Sequence, residues 1–129
     1  CKLIAEKKKI KFKFNSYFPI KTLDLMRGVL IAEEDNFKNY YIDNIFNSIW
    51  QDGLNMNDEN IIQKILKNLN VNSKTFLLRS TSSNIKEKLK IKTNEAYEKS
   101  VFGAPSFVVN NKVFWGQDRI EFALNEASK

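Results

Sequence analysis

The hydrophobic period of this chain changes once, near Val101, and that single change limits what it can fold into. Between residues 16 and 100 apolar side chains recur at helical spacing, whereas from Ser106 onward they alternate in two short β-favouring runs. The runs are Ser106-Phe107-Val108-Val109 and Lys112-Val113-Phe114-Trp115, joined by Asn110-Asn111. Asparagine tolerates the left-handed backbone that a two-residue turn demands, so an antiparallel hairpin is predicted here. Two strands alone make a marginal sheet, and the hairpin is expected to need a partner strand that the chain does not evidently contain.

Within the helical stretch the first segment runs from residue 20 or 22 to 34. Thr22 is its expected N-cap, Asp24 lies in its first turn, and Leu23, Met26, Val29 and Leu30 form its inward face. Gly28 inside it points to close approach of another backbone. The second helix is expected to open at Asp35 as cap. It presents Phe37, Tyr41, Ile45 and Ile49 as one stripe, with Ile42, Phe46 and Trp50 beside it, and stops at Gly53. The third, capped near Asn57 or Asp58, turns Ile61, Ile62, Ile65, Leu66 and Leu69 inward. After a short helical turn from Ser73 to Arg79, Ser82 or Ser83 caps a long fourth helix carrying Ile85, Leu89, Ala96 and Tyr97. Upstream, residues 1–9 read as the end of a helix. Ile10-Lys11-Phe12-Lys13-Phe14 reads as an extended piece with one face buried, and Asn15 to Pro19 as a turn. Past Gly116 a last helix opens near Gln117 or Asp118 and buries Ile120, Ala123, Leu124 and Ala127. The expected division is therefore 1–15 (end of a helix and extended lead-in), 16–100 (helical) and 101–129 (strand, strand, helix).

Composition removes several kinds of chemistry. The single cysteine excludes an internal disulfide and a Cys-x-x-Cys pair, and the absence of histidine removes Ser-His-Asp and Cys-His catalysis. Nearly every usual zinc site goes with it, so no metal ligand is assigned. What remains is hydroxyls, carboxylates, backbone dipoles or a bound cofactor. The formal charge of +6 comes from lysines spread through the helices, without a basic stripe interleaved with stacking aromatics, so no nucleic-acid partner is expected. No apolar run reaches the roughly 18 residues of a membrane span. The expected compartment is the cytoplasm.

Two short motifs flank the hairpin. Phe102-Gly103-Ala104-Pro105-Ser106 stands before its first strand, where proline is allowed and a trans bond is the commoner isomer. Trp115-Gly116-Gln117-Asp118-Arg119 opens the last helix. Taken alone, Asp118 is most simply a cap for free backbone N–H groups and Arg119 a surface charge. The other reading is an anion or zwitterion site, Asp118 taking an ammonium and Arg119 or backbone N–H groups a carboxylate.

In combination, Val101-Phe102-Gly103-Ala104-Pro105-Ser106-Phe107 followed by Phe114-Trp115-Gly116-Gln117-Asp118-Arg119 resembles the close of the 2-hydroxychromene-2-carboxylate isomerase and kappa-class glutathione transferase group. Upstream, Tyr17-Phe18-Pro19-Ile20-Lys21-Thr22-Leu23 with Arg27 resembles the group's lead-in to a helical insert. Phe46-Asn47-Ser48-Ile49-Trp50-Gln51-Asp52-Gly53 with Asn57-Asp58 is similar to its second helix and turn. Lys21 departs from the pattern, which usually has Asn there.

The resemblance implies an α/β, thioredoxin-like fold of the DsbA and kappa type, with a large helical insert and with the N-terminal strand-helix-strand unit missing. It implies a cis Ala104-Pro105 bond, glutathione as cofactor, the backbone of Ala104 pairing with the cysteinyl part, and Asp118 binding the γ-glutamyl end. Pro105, Gln117 and Arg119 complete the implied cofactor site. The group's catalytic serine belongs to the missing segment, so no catalytic residue is assigned and the chain alone is expected to be inactive. The implied activity is glutathione-dependent cis–trans isomerisation of a small aromatic, 2-hydroxychromene-2-carboxylate-like substrate by a homodimer. The alternatives are a kappa-like transferase using the same site, or a DsbA-like dithiol oxidoreductase or binding module.

Overall fold

A computed structural model describes residues 1–129. The chain divides into two compact units, Cys1–Lys86 and Glu87–Lys129. The division lies inside a helix, earlier than the change of period near Val101. No strand occurs between Thr22 and Ser100, and the hairpin occupies the predicted residues.

The first unit holds α1 (Lys2–Lys8), α2 (Leu23–Glu34), α3 (Lys38–Trp50), α4 (Glu59–Asn68), α5 (Ser73–Ser80) and the opening of α6 (Ser83–Glu98). Local chemistry sets several of these ends. Asp58 caps α4 by accepting the Asn60 N–H at 2.9 Å, and Asn72 caps α5 by accepting the Thr75 N–H at 3.1 Å. Asn36 and Asn70 take left-handed backbone after α2 and α4 and turn the chain back. Asp35 does not cap α3 as expected. It closes α2, and its carboxylate accepts from Arg79 at 2.6 Å, drawing Arg79 from α5 onto the end of α2 together with Glu34. Thr22 occupies the N-cap position of α2 without a capping side-chain bond.

The core of this unit gathers Ile31 and Ala32 of α2, Tyr41, Ile45 and Ile49 of α3, Leu66 of α4, Phe76 of α5 and Ile85 of α6. The inward stripes of α3 and α4 are those the periodicity predicts, except that Phe46, beside the α3 stripe, is 60% exposed. The α2 face is not. Leu25, Gly28, Ile31 and Ala32 are buried, while Leu23 and Met26 remain 54% and 49% exposed. The reason is Gly28: a Cβ there would clash with the hydroxyl and ring of Tyr41 and lie 3.2 Å from Phe76. The helix turns its side-chain-free patch toward those rings. The close approach is thus by aromatic side chains rather than by backbone.

Residues 10–14 form no strand. The Lys13 N–H bonds the Trp50 carbonyl at 2.7 Å, but Ile10 and Phe14 stay 58% and 67% exposed, so the expected buried face is absent. Instead Phe12, Phe14 and Phe18 collect around Trp50 at ring distances of 6.0, 6.4 and 6.0 Å. Asn15 is fully buried beneath them. Its Nδ2 donates to the Ile49 and Leu54 carbonyls at 3.0 and 2.9 Å, and its Oδ1 accepts the Tyr17 N–H at 2.8 Å.

The second unit holds the remainder of α6, β1 (Ser106–Val109), β2 (Lys112–Trp115), a 3-10 turn (Gln117–Arg119) and α7 (Ile120–Ala127). The strands pair antiparallel with Ser106 opposite Trp115 and Val109 opposite Lys112. Asn110 and Asn111 have φ of 48° and 60°, the primed geometry that suits a twisted hairpin. α7 packs on the hairpin through Ala123 and Glu126, while Ile120 and Leu124 are 45% and 60% exposed and Ala127 is also exposed. That corrects the expected face: a two-stranded hairpin covers only a narrow strip of a helix. Beyond Ile85 most of α6 is exposed, Tyr97 at 80%, while Leu89 and Ala96 are half-buried.

Glu126 fastens α7 to the turn end of the hairpin. Its carboxylate accepts from Lys112 and Lys129, each at 2.9 Å, and its carbonyl accepts from Asn110 Nδ2 at 3.2 Å. The Lys112 and Lys129 hydrogen bonds hold the carboxyl from its ordinary 4.5 down to about 2. A depressed carboxyl pKa stabilises the fold above the unfolded value and loses that contribution as pH falls through the folded value. Stability supplied by Glu126 is therefore expected to be intact above about 4.5 and to drain away toward 2. Carbon NMR of the Glu126 carboxyl should show the low midpoint, and Glu126→Gln should flatten acid unfolding across that window. A midpoint at the ordinary value would contradict the clasp.

Candidate functional site

The hairpin brings both of its flanking motifs to one place. The strands begin and end at the Ser106 and Trp115 pair, and the ladder then gains one more rung, the Gly116 N–H donating to the Pro105 carbonyl at 3.0 Å. That rung holds Ala104 and Pro105 opposite the Gly116-Gln117-Asp118 turn. Underneath, the Phe102 ring packs on Trp115 with centroids 5.2 Å apart. Gly103 lies against the same indole, where a Cβ would come within 2.5 Å of Nε1. Ser106 Oγ donates to the Gly103 carbonyl, which ties off the loop and occupies that hydroxyl.

The Ala104-Pro105 bond is cis, as the resemblance implied. Phe18-Pro19 is also cis, an isomer that reading residues 15–19 as a turn did not anticipate. Ala104 is exposed and its backbone N–H and carbonyl make no hydrogen bond within the chain, so both are open to an extended peptide. Asp118 makes no capping hydrogen bond. Its side chain is 72% exposed, and its polar partner is Arg119 Nε at 3.6 Å. Arg119 in turn lies over the Phe122 ring at 5.6 Å, and Gln117 is exposed. The simple cap reading of Asp118 therefore gives way to an exposed carboxylate beside an exposed guanidinium, a pair able to take the ammonium and carboxylate of a zwitterion.

Gly116 makes this turn. Its φ of +108° with ψ of 151° is backbone that L side chains rarely adopt, and a Cβ there would lie 2.5 Å from Asp118 Oδ1. The carboxylate thus folds back over a residue that must be glycine.

The first unit has a different feature, an apolar cavity of about 240 Å³ between α2 and α3. Met26, Val29, Ile42, Phe46 and Trp50 line it, positions that helical spacing alone assigns to core stripes. The signal that separates them is the width of the apolar arc on each helix, broader than one packed seam requires. Lys21 faces a separate mixed cleft of about 210 Å³ with Asp24, Asn57 and Glu59, and its N–H bonds Asn57 Oδ1 at 2.9 Å. Arg27 pairs with Asp24 at 2.7 Å, leaving its Nε buried without a partner.

With this geometry in view, the chain belongs to the DSBA-like thioredoxin domain family, whose pattern matches residues 1–127. Among curated proteins it is similar to 2-hydroxychromene-2-carboxylate isomerases. It is 29% identical over 87 residues to that of Pseudomonas sp. (strain C18), covering 67% of this chain and 41% of the relative. It is 27% identical over 97 residues to that of Sphingobium xenophagum, covering 74% of this chain and 49% of the relative. The chain thus spans less than half the length of these relatives. The solved structure of selenomethionine 2-hydroxychromene-2-carboxylate isomerase superposes with a TM-score of 0.84 at 22% identity, over 98% of this chain and 61% of that one, which establishes the shared fold. No helix is long and apolar enough to cross a membrane.

Proposed function

We propose that the protein is a glutathione-dependent cis–trans isomerase of a small aromatic, 2-hydroxychromene-2-carboxylate-like substrate, and that Ala104, Pro105, Gln117, Asp118 and Arg119 hold the glutathione. One observation carries this reading: the Pro105 to Gly116 rung holds the unpaired backbone of Ala104 opposite the uncapped carboxylate of Asp118. A short peptide with a free ammonium at one end fits that set, pairing its main chain with Ala104 and its ammonium with Asp118. In this reading Arg119, beside Asp118, takes the neighbouring carboxylate. Bound glutathione supplies a thiol for reversible addition to a conjugated alkene, after which the former double bond turns freely. The residues of this chain bind and orient; no serine here is given the task of activating the thiol. The isomerase assignment is supported by the names of the curated relatives. The reading takes the cytoplasm as the compartment, where glutathione is kept reduced, and a homodimer as the assembly.

Asp118→Asn tests it, since the amide keeps the shape and removes the charge. Calorimetric titration of glutathione is expected to show affinity falling by about tenfold, the size of one charge-assisted hydrogen bond. The melting temperature should not move, because Asp118 caps nothing. Unchanged affinity in a folded variant would remove Asp118 from the site and the reading with it.

A further inference from the structure

We propose that Trp115 is a positioning residue of the glutathione site, its indole setting the Gly103 backbone and thereby holding the Ala104 main chain open to a peptide. This role rests on the glutathione reading of the hairpin motifs, and Trp115 itself touches no ligand in it.

That reading draws its contacts from Ala104, Pro105, Gln117, Asp118 and Arg119. Three residues of the same two motifs, Phe102, Gly103 and Trp115, are left over, and they meet one another. Gly103 lies directly against the indole: a Cβ on it would stand 2.5 Å from Nε1 and 3.2 Å from both Cδ1 and Cε2. Any side chain at 103 would push either the indole or the loop aside. The Phe102 ring packs on the same indole, with centroids 5.2 Å apart. From the strand side, Ser106 Oγ donates to the Gly103 carbonyl. Gly103 is thus braced at its α-carbon by Trp115 and at its carbonyl by Ser106.

Ala104 follows, and its other neighbour is also fixed, the Pro105 carbonyl accepting the Gly116 N–H at 3.0 Å. Ala104 itself is exposed and bonds nothing within the chain. A free residue of this kind is ordinarily ordered by its ligand, at a cost in conformational entropy. Bracing both neighbours removes part of that cost before a ligand arrives. Packing alone is a poorer account of the aromatic pair. Phe102 and Trp115 are 73% and 53% exposed, so their contact buries little apolar surface for the stability of the unit.

The test uses the full chain and two ligands, glutathione and an analogue methylated on the cysteinyl amide nitrogen. The analogue cannot donate a main-chain hydrogen bond to the Ala104 carbonyl. With the parent it is expected to bind about tenfold more weakly than glutathione, the size of one hydrogen bond. In Trp115→Leu glutathione should weaken by about tenfold and the analogue much less, so that their ratio falls toward one. Partial unfolding would instead weaken both in proportion and keep the ratio. Gly103→Ala makes the same test with the indole retained. Amide relaxation of the ligand-free chain gives a second readout. The Ala104 order parameter should lie near the rigid-backbone value of about 0.85 in the parent and below about 0.6 in Trp115→Leu. A ratio unchanged in both variants, or an Ala104 amide equally ordered without the indole, would overturn the proposal. Either result would leave the loss of affinity in Asp118→Asn, and the glutathione reading with it, standing. A chain that binds no glutathione would overturn both.

Discussion

Replacing Gly28 with valine is expected to cost the helical unit about 3 kcal/mol, because it overpacks the tightest point of the core. The added Cβ would collide with the Tyr41 hydroxyl and sit 2.6 Å from the ring carbon bearing it. Neither can move aside cheaply. Tyr41 is 1% exposed, its hydroxyl is bonded to the Leu25 carbonyl, and its ring packs on Phe37 and Phe76 at 6.4 and 5.5 Å. Valine is a slightly better helix former than glycine, but that gain is only a few tenths of a kcal/mol. Thermal unfolding should shift down by roughly 10–20 °C for a unit of this size. Combining the change with Tyr41→Phe should recover part of the loss, since it removes the nearest colliding atom but leaves the ring. A Gly28→Val protein that melts like the parent would mean α2 does not press on Tyr41 as described.

Asn15→Leu should be comparably damaging, at about 3 kcal/mol in urea unfolding, though the branched outline of the side chain is kept. Asn15 is 0% exposed and satisfies the Ile49 carbonyl, the Leu54 carbonyl and the Tyr17 N–H at once. Leucine would leave all three backbone groups unmet, the Ile49 carbonyl buried and the other two half-buried, at a cost of roughly 1–3 kcal/mol for a buried group before relaxation and water entry. The loop through Phe18 would lose its anchor, so the rim of the apolar cavity should loosen with it. An Asn15→Leu protein with parental stability would show that these bonds contribute nothing net.

These two residues also mark where the sequence was legible. The stripes of α3 and α4, the cap at Asp58 and the Asn110-Asn111 hairpin follow from local rules acting within a few residues, and they appear where periodicity and turn chemistry place them. Gly28 was visible as an anomaly, but which way it turned α2 depended on Tyr41 and Phe76, residues from two other helices. Asn15 looked like a turn residue. Its burial depends on the Ile49 and Leu54 carbonyls, which nothing local reveals. The alternation of Ile10 to Phe14 promised an extended piece with one face buried, yet without a neighbouring strand to pair with, its aromatics gathered on Trp50 instead. At the candidate site the residues were legible through their motifs. Their juxtaposition was not, because it hangs on one hydrogen bond beyond the last paired residues of the strands.

The Glu126 clasp bears on that juxtaposition from the far end of the hairpin. β2 runs toward the Asp118 turn and α7 runs back, and the Lys112 to Glu126 ion pair closes the two into a circuit. Asp118 thus sits at the apex of a fastened loop, not on a free lead-in to a helix. A ligand binding there as proposed would meet a turn whose backbone is already restricted, which reduces the ordering left for binding to impose. Opening the clasp would leave every contact residue in place along the chain, yet it would return to the unbound state the freedom that the closed circuit had removed.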